Sequence, residues 1–93
     1  MMNTCEVTIR NRLGLHARAA AKFVHLASRF RAQIRVSRAG RVVDGKSIMG
    51  ILLLAAGFGT TIEIAADGPD EQEALTALCD LVTNGFGEEQ WNA

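Results

Sequence analysis

Along this 93-residue chain the spacing of apolar residues switches between every second position and every third or fourth, and that alternation leaves few folds open. Thr4 to Arg10 alternates, with Cys5, Val7 and Ile9 on one side and Glu6, Thr8 and Arg10 on the other, as a half-buried strand does. Asn11 to Leu15 reads as a loop in which Gly14 is free to take a positive φ. From Ala17 the spacing is helical. Ala20, Phe23, Val24, Ala27 and Phe30 share a face, with Arg18, Lys22, His25 and Arg29 largely off it. Gln33 to Arg38 is the next strand, with Ile34 and Val36 inward, and Ala39-Gly40 turns it back into Arg41 to Asp44 as a hairpin. Ser47 suits the N-cap of a helix over 48–56. Thr60 to Asp67 alternates again, with Ile62 and Ile64 inward, and stops at Gly68-Pro69. Asp70 and Glu73 read as a capping box for a last helix. Its buried face carries Leu75, Leu78, Cys79, Val82 and Phe86, and it ends near Asn84-Gly85.

The predicted order is therefore βαββαβα. Four strands of one antiparallel sheet, with three helices on one face, make an α+β two-layer open-faced sandwich. Residues 1–87 form one domain and 88–93 a polar tail whose only feature is Trp91. The longest apolar run, Ile51 to Ala56, falls far short of the roughly 20 residues that span a bilayer. With no basic-then-apolar leader, a cytoplasmic protein is expected. Cys5 and Cys79 lie in apolar-periodic segments and are expected as reduced, buried thiols.

Net charge is zero but unevenly spread. All ten Lys and Arg lie between Arg10 and Lys46, and eight of the ten acids lie from Glu63 onward. That suggests a basic face for an acidic partner or anionic group, against the plainer reading of solvated faces. Nucleic acid is disfavoured by a pI near 6.7 and by the lack of interleaved aromatic and basic residues. His16 and His25 lack ligands at metal spacing, so no metal is expected. No serine or cysteine sits in a nucleophile elbow. Gly40 to Ser47 literally satisfies the P-loop pattern, but residues 41–43 are needed in a hairpin, and a P-loop must open a long helix after a buried parallel strand.

What remains is His16, followed by Ala17 and Arg18 at a helix start. The plain reading is a cap or a surface residue. The chemical one is a phosphoryl acceptor, because imidazole, with a reference pKa of ~6.5, is largely neutral and nucleophilic near pH 7. A phosphorylated ring there would meet the free amides of residues 17–19, the positive end of the helix dipole and the Arg18 fork. A second oddity supports a partner surface. The segment 48–56 is apolar on two sides, with Ile51 and Leu54 facing the core and Ile48, Met49 and Leu52 turned elsewhere.

Gly14-Leu-His-Ala-Arg18 and Lys46-Ser-Ile-Met-Gly50 closely resemble the two signatures of the HPr family, the histidine-containing phosphocarriers of the bacterial phosphotransferase system. The resemblance runs along essentially the whole chain. It implies that His16 accepts the phosphoryl group through Nδ1, with Arg18 stabilising charge and Ala17 helping to bind phosphate. Enzyme I would be the donor and an EIIA-type domain the acceptor. Ser47 would be a regulatory phosphorylation site for an HPr kinase/phosphorylase, and Ile48, Met49, Leu52 and Ala20 a docking surface. A monomeric, non-enzymatic carrier without cofactor, nucleic acid or membrane follows. The alternative is a regulatory module controlled at Ser47 with the carrier role reduced or lost. One position departs from the pattern: Ala19 stands where the family usually has proline. Alanine is a good helix former, so the turn is expected to survive with slightly more freedom.

Overall fold

A computed structural model describes residues 3–88. Its elements run β1 (Asn3–Thr8), α1 (Ala17–Ala27), β2 (Gln33–Arg38), β3 (Arg41–Asp44), α2 (Ile48–Leu53), β4 (Thr61–Asp67) and α3 (Glu71–Thr83). A one-turn segment, Gly85–Gly87, follows. The strands form one sheet in the order β1-β4-β2-β3, antiparallel throughout.

The inner strands carry the most apolar inward faces. Ile62, Ile64 and Ala66 of β4 are buried, with Val36 opposite Ile64 and Ile34 opposite Ala66 across the β2–β4 ladder. The residues between them, Glu63 and Arg35, are exposed, as are Glu6 and Thr8 of β1, so the sheet keeps one face in water and one under the helices. Phe23 with Ala20 and Ala27 of α1, Ile51 of α2, and Leu78 and Val82 of α3 complete the core, all at 0% exposure. Truncating Phe23 would remove about 3–5 kcal/mol of burial and leave a cavity.

Four local readings are corrected. Helix α2 stops at Leu53 rather than running to Ala56, because Ala55 takes a left-handed conformation (φ 49°). The freed carbonyls are taken by the hairpin: Arg41 Nη1 donates to the Leu53 carbonyl at 3.1 Å and Arg38 Nη1 to that of Leu54 at 3.0 Å. Phe30 lies beyond the end of α1. The capping box is replaced by longer-range bonds. Asp70 holds the N-cap position, but its carboxylate accepts the amides of Arg31 (2.9 Å) and Ala32 (2.8 Å), and Glu71 accepts that of Gly68. The Arg31 amide foremost, with that of Ala32 and the charge of Lys46, holds the Asp70 carboxyl below its usual value despite some desolvation. Finally, Cys5 and Cys79 do not stand apart as isolated thiols: both half-buried, they meet sulfur to sulfur between β1 and α3, with their Cα atoms 7.1 Å apart. Strand β1 packs directly against α3, an adjacency that 74 residues of sequence separation conceal.

Candidate functional site

The loop after β1 is held before it reaches His16. The Ile9 amide donates to Thr60, the Gly14 amide to the Asn11 carbonyl, and the Leu15 amide to Ala56. Gly14 has φ 67°, and a Cβ there would lie 2.6 Å from the Ala56 carbonyl oxygen, so both the backbone sign and the close approach demand glycine. Leu15 is buried and pins the loop, and His16, in extended conformation, becomes the N-cap of α1. Its Nδ1 accepts the Arg18 amide at 3.3 Å. By helix geometry the amides of Ala17 and Ala19 have no partner within α1, since the first helical bond runs from Ala20 to the His16 carbonyl. Ala17 and Arg18 are exposed beside the ring, whereas Ala19 is fully buried within the helix that begins at Ala17. The substitution for proline therefore leaves the helical turn in place.

The other ring nitrogen is also engaged. Nε2 lies 2.5 Å from a carboxylate oxygen of Glu88, with the two side chains 26% and 19% exposed. The second oxygen of Glu88 accepts the Asn11 amide group at 2.9 Å, while the same Asn11 nitrogen donates to the Gly14 carbonyl at 2.7 Å. Asn11 is completely buried, and its Oδ1 has no hydrogen-bond partner among the described residues. Burial, the largest single influence on Glu88, pushes its carboxyl up. Hydrogen bonds from Asn11 and His16 and the charges of His16 and Lys22 together outweigh it, and the carboxyl sits below its usual value.

Glu88 reaches the ring because the chain reverses after α3. Gly85, Phe86 and Gly87 are all left-handed (φ 63°, 59° and 74°). Phe86 tolerates this as a buried anchor at 1% exposure, and Lys22 Nζ clamps its carbonyl at 2.7 Å. Sequence reasoning assigned Glu88 to a tail and passed over Asn11. The two glycines of Asn84-Gly85-Phe-Gly87 permit a reversal, but nothing in that run says where it points. Residues 89–93, with Trp91, lie outside the described residues.

Ser47 is half-buried at the N-cap of α2, its Oγ accepting the Gly50 amide at 3.0 Å. Ile48 (43%) and Met49 (70%) are exposed, and Leu52 is half-buried. Ala20 is fully buried and so does not belong to an exposed surface. Arg18, Ala21, Val24 and His25 line one shallow apolar depression with Ile48, which brings the two sequence motifs side by side. Leu13, Leu53 and Phe58 are further exposed apolar residues that the sequence reading did not single out.

Comparison with known proteins bears on this geometry. The family model described as the PTS HPr component phosphorylation site matches residues 3–84. The phosphocarrier protein HPr of Cupriavidus necator is 58% identical over 83 residues, covering 89% of this chain and 93% of its own. A crystal structure of HPr from Thermoanaerobacter tengcongensis superposes with a TM-score of 0.90 at 46% identity, covering 94% of this chain and 98% of the other. An HPr dimer from the same organism gives 0.75 at 48% identity, covering 88% and 94%. With a histidine at a helix start, a serine-capped second helix beside it and this extent of likeness, the chain belongs to the HPr family and is a phosphocarrier protein.

Proposed function

We propose that the protein carries its phosphoryl group on Nδ1 of His16, taking it from enzyme I and passing it to an EIIA-type domain. The observation that carries this reading is the position of Nδ1, which faces the Arg18 amide at the N-terminus of an 11-residue helix. At 3.3 Å that contact is long, so the ring lone pair is only weakly engaged. As the N–P bond forms, the donor's bond to phosphorus breaks and its electron pair leaves with the donor. The amide then turns to a phosphoryl oxygen, joined by its neighbours, the helix dipole and the Arg18 guanidinium. Ile48 and Met49, exposed next to this edge, supply apolar contact for the partner.

Incubation with enzyme I and phosphoenolpyruvate should add one acid-labile phosphate, detected by mass and by its loss in acid. His16→Ala should abolish it. Uptake by that variant would sink the assignment.

Ser47 favours a second, compatible reading. Phosphate on its hydroxyl would bring about two negative charges beside Ile48 and Met49 and remove apolar character from the docking edge. A kinase/phosphorylase acting there would regulate the carrier. Partner binding that responds to Ser47 phosphorylation yet ignores His16→Ala would instead make the chain a regulatory module.

A further inference from the structure

We propose that Glu88, braced by Asn11, is a positioning residue for phosphoryl transfer. It fixes the tautomer of His16 and holds the ring's positive charge while Nδ1 is bonded to phosphorus. The inference rests on the reading of His16 as acceptor and adds to it a carboxylate from the far end of the chain.

The hydrogen-bond inventory decides the tautomer. An ionised carboxylate can only accept, so Nε2, 2.5 Å from Glu88, carries the ring proton. Neutral imidazole has one proton, which leaves Nδ1 with its lone pair, consistent with its acceptance of the Arg18 amide. When Nδ1 attacks phosphorus the Nε2 proton stays where it is and the ring becomes cationic. The adjoining carboxylate stabilises that cation without any proton changing hands. On the return step the same cationic ring is a good leaving group, so Glu88 serves loading and unloading alike.

Asn11 explains why the carboxylate is well aimed. Its amide orientation is fixed, because the Gly14 carbonyl can only accept and so must face Nδ2. That forces the remaining hydrogen of Nδ2 toward Glu88. Charged groups on α1 complete the surroundings. Lys22 clamps the turn that delivers Glu88, and Arg18 follows the histidine.

This arrangement predicts an inverted order of severity. Glu88→Ala removes the support and leaves both tautomers accessible. Glu88→Gln supplies one acceptor and one donor. The fixed Asn11 amide claims the acceptor oxygen, which turns the new NH2 toward Nε2. Nε2 must then accept, the proton moves to Nδ1, and the nucleophilic lone pair is lost.

Two measurements test the proposal in the full chain. Nitrogen-15 NMR of the unphosphorylated protein at about pH 8, above the reference imidazole range, should show His16 protonated on Nε2 in the wild type. It should show mainly Nδ1–H in Glu88→Gln. Rapid-quench transfer from phosphorylated enzyme I should be slowed about tenfold in Glu88→Ala. In Glu88→Gln it should be slowed about a hundredfold or more, as when an orienting carboxylate elsewhere is replaced by its amide. The half-saturating donor concentration should change less than twofold. An Nδ1–H wild type, wild-type transfer rates in both variants, the reverse order of severity, or a loss confined to half-saturation would each overturn it. If the wild type takes no phosphate, the carrier assignment itself fails, and the NMR still reports whether Glu88 holds the ring.

Discussion

The Asp70 carboxylate gathers two backbone amides from a loop nearly forty positions earlier, and those bonds make it a sensor of acid. Its folded-state pKa lies below the ordinary value, chiefly through the Arg31 amide. The stabilisation is therefore complete above the ordinary carboxylate range and is lost as pH falls through the lower folded value. Melting temperatures of wild type and Asp70→Asn, compared from about pH 7 to pH 3, should converge as the pH falls, with the variant less stable at neutral pH. A constant gap would refute the linkage. Gly14 was legible as a residue needing positive φ, and His16 as a group at a helix start. Asn11 and Glu88 were not. Hydrophobic periodicity reports which side of an element faces inward, and says nothing about a carboxylate returned by three left-handed residues.

Helix α2 is the element whose ends were least readable. Its start was plain, because a serine before an apolar run has a side-chain oxygen to offer the first free amides. Its end depended on Arg38 and Arg41, which reach across from the hairpin to the last carbonyls and place cations at the negative end of the helix. Nothing in the run of leucines shows that. The Ser47 cap has a practical corollary for regulation studies. Ser47→Ala removes the hydroxyl that phosphate would occupy, and also the acceptor for the Gly50 amide. Urea unfolding should show a loss of about 1 kcal/mol for that variant, even with no kinase present. Stability unchanged within about 0.3 kcal/mol would mean that the cap contributes nothing here, since capping oxygens are typically worth more. Effects on partner binding therefore need correction for this loss.

At the scale of the molecule, the α+β sandwich was legible because each change of apolar spacing marked one element, and a sheet with one wet face followed from alternation alone. Strand order was the harder part. Only the sequence β1-β4-β2-β3 reveals that the first strand lies at an edge beside the last helix, and with it the meeting of Cys5 and Cys79. Helix α3 runs about 20 Å from a start where Asn3 meets Glu71 to an end where Glu88 meets His16. The two ends of the described chain thus sit at opposite ends of that helix. An affinity handle fused after residue 93 would hang five positions beyond the group that holds the reactive ring. The same handle ahead of Asn3 would start from the other end of α3, where Asn3 meets Glu71. Initial phosphate uptake should be slower with a polyhistidine handle on the C-terminal side than on the N-terminal side, and equal rates would show that the exit from Glu88 is unhindered. Where a purification sequence is placed thus becomes part of the biochemistry being measured.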